Sequence, residues 1–360
     1  MIELNIPIEG VVVFDVGGTW FRSGLVTGEG QLIEVSRRPA VNFKNSPSLS
    51  VDEMQEALVS YLVSQTRQLQ SKANGTAPRK SAVSMGAALN GHTGFVLNSG
   101  PLWGACSKPI NLLAVLKQRE PSVEWTVLND VTATLLWNVS QFRKTFTKAN
   151  LFTISTGIAC RTYNGRTGEV ILDPTFGIQG EIGHLPIVFR MGNQVVERHC
   201  DCGGFNHLNA FCSGRGIEAL LPIVAEYFRE DFAKSLMANQ NPRDLDFADL
   251  VKAIHQGDDF AVKVLNLVTL PVAEMLLHLF TFDPEIDLVF FTGGVVHSLH
   301  PYYKKSLLNH LTHLGLYLVS NLDPTYFQKR VQVGCCDDQA GLRGAALTAC
   351  QQELRFACSN

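Results

Sequence analysis

The sequence predicts an α/β protein made of two related domains with a cleft between them. Three observations carry that expectation. The chain has 360 residues, more than one ordinary core holds and suited to two domains of usual size. Apolar residues make up 46% and charged residues 18%, enough to bury a sizeable interior. A strand, a turn of small residues and a second strand occur twice, in "GVVVFDVGGTWFRSGLV" and again in "NLFTISTGIACRTYNG".

The elements follow in order. "GVVVFDV" is a continuous β-branched run, the signature of a strand buried on both faces. "WFRSGLV" and "QLIEVSR", each behind a glycine turn, complete an antiparallel meander. "SVDEMQEALVSYLVSQTRQLQS" opens on a Ser and an Asp and spaces Met54, Leu58, Leu62 and Leu69 at helical intervals. "SAVSMGAAL" reads as a strand, "NLLAVLKQRE" as a short helix and "EWTVLND" as a strand, giving βββαβαβ. In the second round "GEVILD" is the expected third strand. Helices are expected over 216–236, 246–256 and 258–280, then the strand "IDLVFFTGG", a helix and the strand "RVQVGCC". The expected N-terminal domain is 1–129, with a C-terminal helix over 338–357 packing back on it. The expected C-terminal domain is 130–337.

Charge and cysteine usage narrow the partners. The formal net charge is −3 and no Lys/Arg-rich block breaks it, so there is no electrostatic footprint for nucleic acid. Nine cysteines, at 106, 160, 200, 202, 212, 335, 336, 350 and 358, make an odd count in a large chain. That pattern fits buried thiols and a metal site in a reducing cytosol better than a disulfide framework. The start, "MIELNIPIEG", has neither a basic nor an apolar signal region. "LVTLPVAEMLLHLFTF" contains Pro, Glu and His and reads as a buried helix rather than a membrane span. A cytoplasmic protein without membrane partners is expected.

Five stretches carry chemistry. In "FDVGGTWFRSGLV", Gly17, Gly18 and Thr19 form a turn whose N–H groups can reach a phosphate, and Asp15 can orient a hydrated Mg²⁺. By itself the stretch fits a plain hairpin turn as well. In "TVLNDVTATLLWN", Asp130 is placed to take a proton from a substrate hydroxyl and Asn129 to hydrogen-bond a neighbouring one. Helix capping by Asp130 fits equally. Thr156 and Gly157 in "ISTGIACRTYNG" suit a second phosphate-contacting turn. Gly293 and Gly294 in "LVFFTGGVV" permit close approach by an adenine or a phosphate. Finally, His184, Cys200, Cys202 and His207 offer a tetrahedral Cys₂His₂ zinc set, with His199 as a competing ligand.

With those residues in view, the chain resembles the ROK family of bacterial sugar kinases, repressors and open reading frames, within the actin-like ATPase superfamily. "DVGGT" looks like the family's first phosphate motif, "ND" like its catalytic dyad, "STG" like its second phosphate motif and "TGG" like its adenosine-side motif. "GEIGH" at 180–184, "CDCGG" at 200–204 and "CSG" at 212–214 fit the family signature in register. The resemblance implies two actin-like (ribonuclease H-like) α/β domains. It also implies ATP-dependent phosphorylation of a hydroxyl on a sugar-like substrate, with Asp130 as base and Mg²⁺ beside the phosphates. Asn129, Glu181 and His184 would hold substrate hydroxyls. A structural zinc on His184, Cys200, Cys202 and His207 would fix the loop carrying Glu181. A homodimer is expected on the same ground.

The departures from the family pattern point to the substrate. His207 stands where the family has its third cysteine, and His still ligates zinc. Asn209 replaces a Glu that contacts sugar in the kinases, so it should change which hydroxyls are read. "AALNG", with Asn90, replaces a Pro-Gly-Pro-like turn in the sugar-facing loop. Ala159, Cys160 and Arg161 stand where glycines are usual, and Arg161 near a phosphate would either help ATP binding or block it. These changes point away from plain glucose, toward an N-acylated hexosamine, another hexose or a carbasugar C7-cyclitol. Two rivals from other classes are a non-catalytic sugar-binding pseudo-kinase or regulator, favoured by Ala159–Arg161, and a sugar-sensing repressor. The repressor reading lacks a helix-turn-helix, because the first strand begins about ten residues in.

Overall fold

The computed structural model describes residues 6–73, 76–104, 108–142, 144–334 and 339–357. Cys106, Cys335, Cys336, Cys358 and the first residue of the expected last helix, Asp338, lie outside them. Two compact units form, from the described residues of Met1–Lys144, Gly168–Gln179 and Cys336–Asn360, and of Thr145–Thr167 and Gly180–Cys335.

In the first unit the β-branched run forms β1 (Val11–Val16), buried throughout except at the half-buried Asp15. A short turn returns the chain antiparallel as β2 (Trp20–Val26), and β3 (Leu32–Pro39) adds an exposed edge. The helix Val51–Lys72 starts on a full capping box between Ser50 and Glu53, as its Ser/Asp start predicts. It leads to β4 (Lys80–Met85), which pairs parallel to β1. Three short strands that the sequence reading did not separate follow: β5 (Ala88–Asn90), β6 (Phe95–Asn98) and β7 (Ile110–Asn111) form a small antiparallel sheet. Each is too short to show an alternation. The predicted helix is Leu112–Arg119, and β8 (Glu124–Asn129) closes the main sheet in the order β3-β2-β1-β4-β8.

The second sheet repeats that plan. It uses β9 (Lys148–Ile154), β10 (Ile158–Asn164), β11 (Glu169–Val170), β14 (Ile286–Thr292) and β15 (Val331–Val333), in the order β11-β10-β9-β14-β15. Between β11 and β14 lies a two-stranded ribbon of β12 (Phe189–Met191) and β13 (Gln194–Val196). In both sheets the central strand pairs antiparallel with the strand after it and parallel with a later strand. The recurrence seen in sequence is therefore a recurrence of topology. "GEVILD" yields a strand of only two residues, and the helix expected over 216–236 breaks. It runs Gly214–Tyr227, then Phe228 leaves the helical region at φ −107°, ψ 49°, and a short turn Arg229–Phe232 follows.

The helix Asp259–Phe282 is long and apolar enough to cross a membrane. Here Val264, Val268, Val272, Leu276 and Phe280 are buried in the core of the second unit. Pro271 sits inside this helix without ending it.

The last helix, Ala340–Ala357, packs on β1 and on the helix Asp130–Gln141 within the first unit. Its crossing of the second helix is made at Gly344, where a Cβ would collide with the Ala133 carbonyl. Backbone cannot retreat there as a side-chain tip would. Gly344→Ala is therefore expected to destabilise the protein by about 1–3 kcal/mol despite the better helix propensity of alanine, read by urea unfolding. An unchanged midpoint would mean that the two helices are not held in this close contact.

Candidate active site and metal centre

The first unit gathers two carboxylates at the ends of neighbouring strands. Asp15 pairs across β1 and β4 with Ser84, and Met85 pairs across β4 and β8 with Asn129. Asp130, the next residue, opens the helix Asp130–Gln141. A Cβ at Gly86 would lie 3.3 Å from Asp130 Oδ2, and one at Gly341 would lie 3.0 Å from Asp15 Oδ1. Both carboxylates thus rest against glycine backbone. Arg22 Nη1 donates to Asp15 Oδ2 at 3.3 Å, and Ser84 Oγ to Oδ1 at 3.5 Å. Arg22 was not singled out from sequence. A tight turn at 17–19 places it opposite Asp15 in the β1–β2 register, so the signal was present.

Burial pushes the Asp15 carboxyl up to about 6; Arg22 opposes this, and the nearby Asp130 charge adds to it. At neutral pH an ionised Asp15 is held against its surroundings.

The turn after β1 is ordered by its own backbone. Gly17 N–H donates to Trp20 C=O at 3.0 Å, and Asn42 Nδ2 donates to Gly18 C=O at 2.7 Å. At Gly18 a Cβ would lie 2.6 Å from Pro101 Cβ, so only glycine fits. Thr19 is exposed.

Asn129, not Asp130, is the N-cap of the helix. Its Oδ1 accepts Val131 N–H at 2.9 Å and Thr132 N–H at 3.3 Å, and its Nδ2 donates to Ala87 C=O at 3.0 Å. It is 8% exposed. Asp130 Oδ1 accepts Val131 N–H at 2.9 Å. Asn90 ends β5, where its Oδ1 accepts the N–H groups of His92 (2.9 Å) and Thr93 (3.1 Å).

In the second unit three glycine-bearing turns meet. Ser155 N–H donates to Gly157 C=O at 2.9 Å, closing the turn between β9 and β10 that carries the exposed Thr156. Gly214 N–H, at the start of the helix Gly214–Tyr227, donates to Ser155 C=O at 2.7 Å. A Cβ at Gly294 would lie 3.6 Å from Ser155 Oγ. Gly293 has φ +101° and sits against the Ile154 backbone, a place and a conformation that require glycine. The expected phosphate-side and adenosine-side turns are thus side by side.

Beside them lies the segment from Gly180. Cys160 N–H donates to Gly180 C=O at 2.7 Å. Glu181 then opens a single 3₁₀ turn, Ile182–His184, with His184 N–H donating to Glu181 C=O at 3.0 Å. Asn209 Oδ1 accepts Ile158 N–H at 2.7 Å and fills the space where a Gly183 Cβ would go. It braces the β9–β10 turn against the 3₁₀ turn. Arg161 is 3% exposed, and its guanidinium donates to Cys160 C=O at 2.8 Å and to Glu181 Oε1 at 2.9 Å. Its charge is spent on Glu181, a pairing twenty residues apart that no local pattern announces.

The metal-type donors converge. One ligand atom from each of His184, Cys200, Cys202 and His207 lies within 4.8 Å of every other. Cys202 Sγ and His207 Nδ1 are 3.2 Å apart, and the His184 and His207 rings meet edge to face at 5.5 Å. His199, the competing candidate, stands outside this group and packs on Phe205 at 5.0 Å. Burial pushes the Cys200 thiol up.

The sheet order of each unit defines the fold, two actin-like α/β domains, and solved structures agree. A ROK family glucokinase from Streptomyces griseus, in complex with glucose and AMPPNP, superposes with a TM-score of 0.69 at 18% identity, covering 95% of this chain and 99% of that one. The ROK family matches residues 11–352, and the chain belongs to that family. The chain is 37% identical to a 2-epi-5-epi-valiolone 7-kinase from Actinoplanes sp., over 95% of this chain and 94% of that protein. It is 29% identical to a C(7)-cyclitol 7-kinase from Streptomyces hygroscopicus subsp. limoneus, over 93% and 92%.

The Asp15 carboxyl gives a pH-dependent expectation for protein free of metal and nucleotide. Between the unfolded value near 3.8 and the folded value of about 6, the folded state holds a proton that the unfolded state has lost. Stability therefore falls as pH rises through that window, and the deficit persists above it. Asp15→Asn should raise the melting temperature at pH 8, by the equivalent of up to about 3 kcal/mol, and show no gain at pH 4. An Asp15→Asn protein less stable than the parent at pH 8 would show that the Arg22 pairing outweighs the burial.

Proposed function

We propose that this chain transfers the γ-phosphoryl group of ATP to a hydroxyl of a C7-cyclitol, with Asp130 as the base. It is a phosphotransferase with an alcohol acceptor. The observation that carries the reading is Asp130 itself. It stands in a helix first turn beside a strand-end carboxylate, in a chain that matches a 2-epi-5-epi-valiolone 7-kinase at 37% identity over nearly its whole length. Phosphoryl transfer needs positioning and charge stabilisation more than covalent chemistry, which suits a site of turns and carboxylates.

The roles divide as follows. Gly17, Gly18 and Thr19 offer backbone donors to a phosphate, and so do Thr156 and Gly157. Gly293 and Gly294 serve the adenosine side. Magnesium would enter with the nucleotide and offset phosphate charge, and Asp15 would orient its water shell. Asp130 takes the hydroxyl proton as the oxygen attacks. Glu181 and His184 hold substrate hydroxyls. Asn129 sets the start of the Asp130 helix and has one amide N–H left for a hydroxyl. Asn90 and Asn209 shape the substrate loops, each with its side-chain oxygen already engaged and its amide nitrogen left for a substrate oxygen.

The four clustered donors fit zinc. Two thiols and two imidazoles within 4.8 Å match its tetrahedral preference. His184, Cys200, Cys202 and His207 would hold it, and its part would be to stiffen the loop behind Glu181. We also infer a homodimer in the cytoplasm, on family membership. A non-catalytic reading rested on Ala159–Arg161. Arg161 is turned to Glu181, so that stretch argues for an ordered substrate loop instead.

Two experiments test this. ATP turnover over a panel of 2-epi-5-epi-valiolone, glucose and N-acetylated hexosamines should be highest with the cyclitol. Asp130→Asn should lower it by about 10²–10⁴-fold while polyol binding changes only a few-fold. Turnover that survives this change removes Asp130 as the base. Metal analysis of purified protein should give about one zinc per chain, lost in Cys202→Ser together with thermal stability. A well-folded parent protein free of zinc would sink the metal assignment.

A further inference from the structure

Arg161 is a buried cation that the proposed transfer does not use. It stands in β10. It is 3% exposed, and among the described residues its guanidinium meets only the Cys160 carbonyl and Glu181 Oε1. Burying a guanidinium is costly unless it is paired, so the pairing with Glu181 is what makes the position tolerable. The two ends differ sharply in exposure. The Arg161 side chain is 4% exposed and that of Glu181 is 40% exposed. The pair therefore anchors in the interior and presents a carboxylate outward.

Glu181 is fixed from both sides. Its backbone follows Gly180, which lies so close to Cys160 that a side chain would collide with the Cys160 carbonyl. Its C=O accepts His184 N–H, tying it to one of the clustered metal donors. Its carboxylate has one oxygen on Arg161, and Oε2 has no protein partner among the described residues. A free glutamate on a surface loop samples several rotamers, and each ordered torsion costs free energy when a ligand binds. A charge-assisted bond from a buried, planar guanidinium removes that freedom beforehand.

We propose that Arg161 is a positioning residue for substrate recognition, holding Glu181 so that Oε2 accepts a hydroxyl of the polyol. This rests on the proposed polyol kinase reading and deepens it. The effect is confined to the polyol: among the described residues the Arg161 guanidinium bonds to Cys160 and Glu181, not to the Gly157 and Gly293 turns. Loss of Arg161 raises the polyol KM and leaves kcat and the KM for ATP nearly unchanged.

The test uses the full chain, with 2-epi-5-epi-valiolone as the probe and two readouts, its binding by calorimetry and ATP turnover. Arg161→Met keeps the volume and removes every donor. It should raise the polyol KM and Kd by about tenfold or more, with kcat and the ATP KM within about twofold and zinc content equal to the parent. Arg161→Lys should fall between the two. In the Glu181→Gln background the same Arg161→Met change should have little further effect, because the partner it positions has already changed. If Arg161→Met does not fold, Arg161→Lys carries the test, with a selective rise of a few-fold expected. A polyol Kd unaltered in the folded variant, or penalties that simply multiply in the double variant, would overturn the inference. If the parent binds the polyol but transfers nothing, the kinase reading fails and Arg161 is judged on Kd alone. If it neither binds nor transfers, both fail.

Discussion

The chemistry of the second unit hangs on one backbone hydrogen bond, from Cys160 N–H to Gly180 C=O. It clamps the second strand of the central hairpin against the start of "GEIGH". Everything downstream takes its place from there. Glu181 comes within reach of Arg161, the 3₁₀ turn delivers His184 to Cys200, Cys202 and His207, and Asn209 closes the gap between that turn and Ile158. The bond forms only because residue 180 has no side chain. Any Cβ there would meet the Cys160 carbonyl. A close backbone contact of this kind cannot relax by rotating a side chain, so it transmits position with little loss.

The first unit solves a different problem. It holds two carboxylates near one another and lets one of them bear the cost. Asp15 is disfavoured as an anion by burial and by Asp130, and Arg22 only partly offsets this. Such an arrangement is unfavourable in the isolated protein. A side chain at residue 86 would crowd Asp130, and one at residue 341 would crowd Asp15.

Much of this was legible in the sequence because it is local. The β-branched run 11–16, the capping residues of the helix Val51–Lys72 and the repeated strand–turn–strand pattern each depend on neighbours a few residues apart. The convergence of the four metal-type donors was legible for a similar reason: they lie within residues 184–207, close enough in the chain for one loop region to bring them together. The strands β5 to β7 were not, since strands of two to four residues have no period to read. Nor was the break at Phe228, which rests on one residue's backbone angles.

The sequence by itself determined the architecture and the kinds of chemistry available. It could do so because hydrophobic periodicity and glycine placement act over short stretches. Only the tertiary structure decided how the polar groups are shared out. Arg161 pairs with Glu181, twenty residues on, Asn209 reaches back to Ile158, Asn129 caps the helix that Asp130 begins, and His199 turns aside onto Phe205. Each of these choices depends on which side chain is buried next to which partner. Burial is a property of the packed chain, and a polar group taken out of water must take whatever partner the packing places within about 3 Å.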